Sequence, residues 1–131
     1  MKQLKPELVE NLPETEIQTD RVVGRLFAGI KGEPKEVQVG SKIELSFGFD
    51  LNEEVSEAML FSVSIIAPGF IMNRKRDRVL IKRLPIKKGE KNNSMVLKFQ
   101  ALNLGKHIVS VDFFIKNGYL LTLEIPITVI S

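Results

Sequence analysis

The chain has 131 residues, 44% of them hydrophobic and 27% charged, with a formal net charge of +3; this suits one folded domain with a core of its own and excludes disorder of the whole chain. It has no cysteine and one histidine, which excludes disulfide frameworks and thiolate or multi-histidine zinc sites. No signal-peptide-like run opens the chain and no stretch reaches the roughly 18 apolar residues of a membrane span, so a cytoplasmic protein with no membrane contact is expected.

The charge is uneven. Residues 1–60 hold 7 basic and 12 acidic side chains, whereas Arg74 to Lys91 hold 9 basic and 2 acidic. The sequence is therefore an electrical dipole along its length.

In chain order, residues 1–20 contain Pro6, Pro13 and five acids, with Leu4, Leu8 and Leu12 at a spacing that suits one face of a short helix. This stretch is expected as an acidic linker or short N-terminal helix, and residues 21–131 as the folded domain. From there the repeat becomes two, the period of a strand with one buried face. Val22 to Ile30 is a first, less regular strand. Ile43, Leu45, Phe47 and Phe49 form the inner face of a second, and Met59, Phe61, Val63 and Ile65 that of a third.

The acidic loop "DLNEEVSEAM" places Asp50, Asn52 and Glu54 at the first three ligand positions of an EF-hand. Val55 then stands where glycine is needed and Phe61 where glutamate is needed, so the motif fails. A solvated acidic turn is expected, with Asn52 capping a single helical turn.

Next comes "APGFIMNRKRDRVLIKR", from Ala67 to Arg83, with six cations and one acid. Pro68-Gly69 turns the chain out of the third strand, and Val79 to Ile86 is a fourth. Such a cluster repels itself and must be offset by solvent, by the acidic half of the chain through residues such as Glu53, Glu54 and Glu57, or by a partner. Arg74, Lys75, Arg76, Arg78, Lys82 and Arg83 are the candidate partner-binding residues. Arginine suits bidentate contact with carboxylates, so an acidic protein surface is the expected partner. Nucleic acid is the alternative through the same residues, although Phe70 and Tyr119 are the only aromatics expected to be exposed, a thin platform for stacking bases.

Lys88-Gly89-Glu90 reads as a turn, as does the sequon-like Asn92-Asn93-Ser94. Met95, Leu97, Phe99 and Ala101 face the core of a fifth strand. His107, Val109, Val111, Phe113 and Ile115 line a sixth, and Tyr119, Leu121, Leu123, Ile125, Ile127 and Val129 a seventh. Asn117-Gly118 predicts a two-residue type I′ turn joining these last two into a hairpin. Pro126, lacking an N–H, predicts an edge or a bulge and a second candidate surface for strand addition.

His107 reads as a core-edge histidine bonded to backbone. Ser110 and Asp112 lie on the opposite face of its strand, no Gly-x-Ser-x-Gly elbow or phosphate-binding glycine motif is present, and no catalytic residue, metal or cofactor is expected.

About seven short strands with turns near ten-residue spacing predict an all-β, immunoglobulin-like antiparallel β-sandwich. "VQVGSKIELSF" and "LIKRLPIKKGEKNNSMVLKFQALNLGKHIVSVDFFIKNGYLLTLEIPITV", with its Gly105-x-His107-x-Val109-x-Val111 strand before a closing hairpin, resemble bacterial immunoglobulin-like and fibronectin-like accessory modules. The resemblance spans residues 37–130. It implies a non-catalytic interaction module joined to other domains in signalling, adhesion or defence proteins, and it transfers no functional residue.

Overall fold

Alternation at period two leaves each strand with one apolar face, and two such sheets bury those faces against each other. In a computed structural model, which describes residues 14–18, 23–72, 79–116 and 118–131, ten strands form two five-stranded sheets. They are β1 (Glu14–Gln18), β2 (Val23–Ile30), β3 (Glu36–Gln38), β4 (Lys42–Leu51), β5 (Met59–Ile66), β6 (Phe70–Met72), β7 (Val79–Ile86), β8 (Asn92–Ala101), β9 (Gly105–Ile115) and β10 (Gly118–Ile130). One sheet has the order β1-β2-β4-β8-β6 and the other β3-β10-β9-β5-β7. The protein is an all-β sandwich, and no helix among the described residues is long and apolar enough to cross a membrane.

The core is the layer between the sheets. Phe47, Phe49, Phe61, Phe99 and Phe113 are fully buried, and each contributes on the order of 2 kcal/mol of hydrophobic stabilisation. Phe49 of β4 stacks on Phe61 of β5 with ring centroids 4.2 Å apart, which ties one sheet to the other across the layer.

Several expectations are corrected. Strands among the described residues number ten, not seven, because β1, β3 and β6 are too short, or too polar, to show alternation. The second sheet is mixed, since β3 runs parallel to β10. β1 lies inside the stretch expected as linker or helix, and its pairing with β2 from Glu14↔Phe27 to Gln18↔Val23 puts it in the first sheet; Leu4, Leu8 and Leu12 lie outside the described residues. Asn92-Asn93-Ser94 begins β8 and is not a turn: the Asn93 amide donates to the Pro85 carbonyl at 2.6 Å.

The turn falls just before. Glu90 N–H donates to Lys87 O at 2.9 Å, the Glu90 carboxylate accepts from Lys87 N–H at 2.8 Å, and Gly89 supplies the φ of +87°. The acidic loop has no helical turn. Its Val55 is buried, donates to Glu90 O and accepts from Gly89 N–H, both at 2.9 Å, which lays the loop against that turn.

The β9–β10 hairpin forms with its loop one residue earlier than expected. Ile115 and Gly118 are the closing pair, which puts Gly118 in β10 and not in the loop, with Lys116 at φ +48°; Asn117 lies outside the described residues. A bulge between Tyr119 and Leu121 makes Leu120 the extra residue; Leu120 turns into the core and Tyr119 is left 60% exposed, not inward.

Pro126 sits beside Ile108 of β9, not at the bulge. Thr128 N–H points to β3, donating to Lys35 O at 3.0 Å. Pro126, two residues earlier on the strand, therefore turns its nitrogen to that same side, where no N–H is required because β3 pairs only from Thr128 onward. With β3 covering Thr128–Ile130 and proline offering no donor, this edge is a poor template for a further strand.

Candidate functional site

Of the predicted site residues, Lys82 and Arg83 fall on β7; Arg74, Lys75, Arg76 and Arg78 lie outside the described residues. β7 ends its sheet, and among the described strands only β5 pairs with it, from Met59↔Ile86 to Ile66↔Val79. Leu84 and Ile86 point inward and are buried, with half-buried Leu80 and Lys82 on the same side, while Val79, Ile81 and Arg83 face outward and are exposed. The two cations thus point to opposite faces. Lys82 stands at the seam where β7 faces β8, and Arg83 stands on the outer face.

The orientation of the β7 backbone follows from one contact. Pro85 O accepts from Asn93 of β8, so Pro85 presents its backbone away from β5. In an antiparallel strand every second residue does the same; Val79, Ile81 and Arg83 therefore aim their N–H and C=O groups at the side on which no described strand pairs. Proline is tolerated at residue 85 because its nitrogen faces that edge, where no ladder bond is lost.

Charge is distributed differently on the two sheets. On the first, Arg25 pairs with Asp50 at 3.3 Å, and Glu44 lies between Lys31 at 3.7 Å and Lys98 at 3.9 Å. Lys82 and Arg83 have no ion-pair partner among the described residues, and Glu53, Glu54 and Glu57 are exposed on the acidic loop. An internal network joining those three acids to Lys82 and Arg83 is therefore not formed among the described residues. What the loop does approach is the turn bearing Lys87 and Lys88, through Val55.

On the outer face beside Arg83, Tyr119 is exposed, as the nucleic-acid alternative requires of it, whereas Phe70, the other aromatic expected to be exposed, is buried; the neighbours of Tyr119 are what sequence reasoning missed. Arg83 lies opposite Ser62 of β5, Ser62 opposite Phe114 of β9, and Phe114 opposite Tyr119 of β10. The Phe114 and Tyr119 rings meet edge to face at 5.8 Å. Thr122 donates to the Asp112 carboxylate, which leaves its oxygen to accept from the Tyr119 hydroxyl at 2.7 Å. Period-two parity marks Phe114 as outward-facing; the bulge that brings Tyr119 beside it leaves no sequence signal.

His107 sits at the core edge. Its Nε2–H donates to Asn103 O at 2.7 Å and its ring meets Phe70 edge-on at 5.9 Å. Asp112 is on the other face of β9, so the two do not form a catalytic pair. Among the described residues, one cleft of about 320 Å³ is lined by Val23, Gly24, Arg25, Asp50, Leu51, Asn52 and Lys91, and contains the Arg25–Asp50 pair.

No family model and no curated protein matches the sequence. Among solved structures, the fold is similar to the cupredoxin domain of amoB from Nitrosocaldus yellowstonii, with a TM-score of 0.54 and 11% identity over 87% of this chain and 90% of that one. Weaker similarity links it to the alkylpurine DNA glycosylase AlkC of Pseudomonas fluorescens (TM-score 0.45, 13% identity, 72% of this chain) and to a β-glucosidase from Listeria innocua (0.47, 12%, 81%). The matches span 28% and 16% of those two longer chains. At these identities the likeness is one of fold, a β-sandwich. A blue-copper centre takes two histidines and a cysteine thiolate; this chain has one histidine and no cysteine, and Nε2 of that histidine is engaged with backbone. The donor set does not fit copper.

Proposed function

We propose that this chain is an immunoglobulin-like sandwich acting as a non-catalytic interaction module, which binds an acidic protein surface through the basic run of Arg74, Lys75, Arg76, Arg78, Lys82 and Arg83. The observation that carries the reading is the pair Lys82 and Arg83, which follow exposed Val79 and Ile81 on an edge strand and have no ion-pair partners among the described residues. Unpaired cations beside exposed aliphatic groups are the composition of a docking surface. The long β9–β10 hairpin belongs to the same sheet, so Arg83 shares the outer face with the hairpin's outward side chains.

The immunoglobulin-like assignment draws support from strand order. Setting aside the three short strands β1, β3 and β6, the sheets read β2-β4-β8 and β10-β9-β5-β7. Lettered along the chain, these are A-B-E and G-F-C followed by an added edge strand, the arrangement of immunoglobulin-type sandwiches. The resemblance to bacterial accessory modules extends the proposal to a cytoplasmic signalling or defence assembly.

The test compares a polyglutamate peptide with a short random DNA duplex as ligands for the whole chain. Binding to polyglutamate that is lost when Lys82 and Arg83 are both changed to Glu supports the proposal. Preference for the duplex, with affinity falling steeply as salt rises, replaces it with polyanion binding through the same residues.

A further inference from the structure

The β7 edge is a hydrogen-bonding template with a defined length. Val79, Ile81 and Arg83 direct their backbone groups outward, as derived from the Pro85–Asn93 contact. At residue 85 the template ends, since proline has no N–H and its carbonyl is already taken by Asn93. Exposed strand edges of this kind are normally blunted, because another chain can pair with them. Here proline blunts only one end, while Ile81 is 69% and Val79 50% exposed on a stretch that no described strand other than β5 pairs with.

We infer that the partner docks by strand addition: an extended acidic segment pairs with Val79–Arg83 of β7 and sets carboxylates against Lys82 on its inner side and Arg83 on its outer side. This deepens the proposed function and rests on it. Main-chain bonds supply affinity in such an arrangement, and the alternating side chains supply specificity. Charge complementarity selects the occupant. Between residues 74 and 91 the chain has 9 basic and 2 acidic side chains; a second copy of β7 would bring that run against itself, whereas alternating carboxylates neutralise it on both faces.

The experiment is amide hydrogen exchange read by NMR on the full chain, with and without a short peptide of alternating glutamate and valine, and with a glutamine–valine peptide as the uncharged comparison. In the free protein the N–H groups of Val79, Ile81 and Arg83 should exchange quickly, and those of Leu80, Lys82 and Leu84, bonded to β5, slowly. The acidic peptide should slow the first three and leave the others unchanged. Ile81→Pro, which removes an edge donor without touching the β5 ladder, should weaken binding by about tenfold or more; Pro85 already occupies the same kind of position.

Slow exchange of Val79, Ile81 and Arg83 in the free protein would overturn strand addition. So would acidic-peptide binding that leaves those amides unchanged or persists undiminished in the Ile81→Pro protein; in either case the basic surface stands, provided the glutamate peptide still binds better than the glutamine one. Failure of the acidic peptide to bind, or equal binding of both peptides, removes the basic-surface reading and strand addition with it.

Discussion

Gly69 has no room for a methyl group. A Cβ built there would stand 2.5 Å from His107 Nε2 and 2.6 Å from its Cδ2 and Cε1, so the imidazole lies directly over the Gly69 backbone. The ring cannot easily retreat. Nε2 is held by Asn103 O, and Phe70 meets the ring edge-on. Gly69 O in turn accepts from Leu102 N–H at 3.0 Å and Asn103 N–H at 3.2 Å, joining the entry of β6 to the loop before β9. Gly69→Ala should therefore destabilise the fold by about 1–3 kcal/mol, the range for an overpacked site. Adding His107→Ala in the same protein should return part of that loss, and urea unfolding of the two single variants and the double variant measures the coupling. If the two effects simply add, the imidazole does not confine Gly69.

At the scale of elements, the β9–β10 hairpin allows two predictions. Lys116 occupies the left-handed region at φ +48°, where a side chain is strained. Lys116→Gly should stabilise the protein by about 0.5–1 kcal/mol, seen as a thermal midpoint higher by a few degrees; an unchanged or lower midpoint contradicts that strain. Leu120, the bulge residue, is only 8% exposed, and Leu120→Ala should cost about 2 kcal/mol in urea unfolding. A cost near zero would mean that the bulge adds no packing.

The same hairpin marks how far the sequence can be read. All seven alternating segments are strands, because half-burial writes itself into the residue pattern. β3, with the sequence EVQ, has one apolar residue and β6 has three residues in all; neither is long enough to repeat. Asn117-Gly118 marked a turn correctly but misplaced its centre by one, and the bulge then reversed the parity expected for Tyr119. Lys82 and Arg83 were legible as charge. Their place on an open edge was not, since strand neighbours depend on pairings distant in sequence, such as Ser62↔Arg83 and Pro85 with Asn93 of the facing sheet.

At the scale of the whole molecule, the dipole written along the sequence partly closes on itself. Val55 anchors the acidic loop to the turn carrying Lys87 and Lys88, and the first sheet pairs its own cations with Asp50 and Glu44. Lys82 and Arg83 are left without ion-pair partners among the described residues, within the run from Arg74 to Lys91 that holds 9 basic and 2 acidic side chains. Association with an acidic segment should then separate into two independently adjustable parts. Long-range attraction governs encounter and is screened by salt, with a Debye length of about 10 Å at 0.1 M and about 3 Å at 1 M, whereas edge hydrogen bonds govern residence time. Lys82→Glu with Arg83→Glu should slow the on-rate for the glutamate–valine peptide and flatten its salt dependence, while Ile81→Pro should raise the off-rate and leave the salt dependence of the on-rate intact. Stopped-flow or surface-binding kinetics at several salt concentrations measures both. If charge reversal leaves the salt dependence of the on-rate unchanged, the field that steers the partner does not arise at β7.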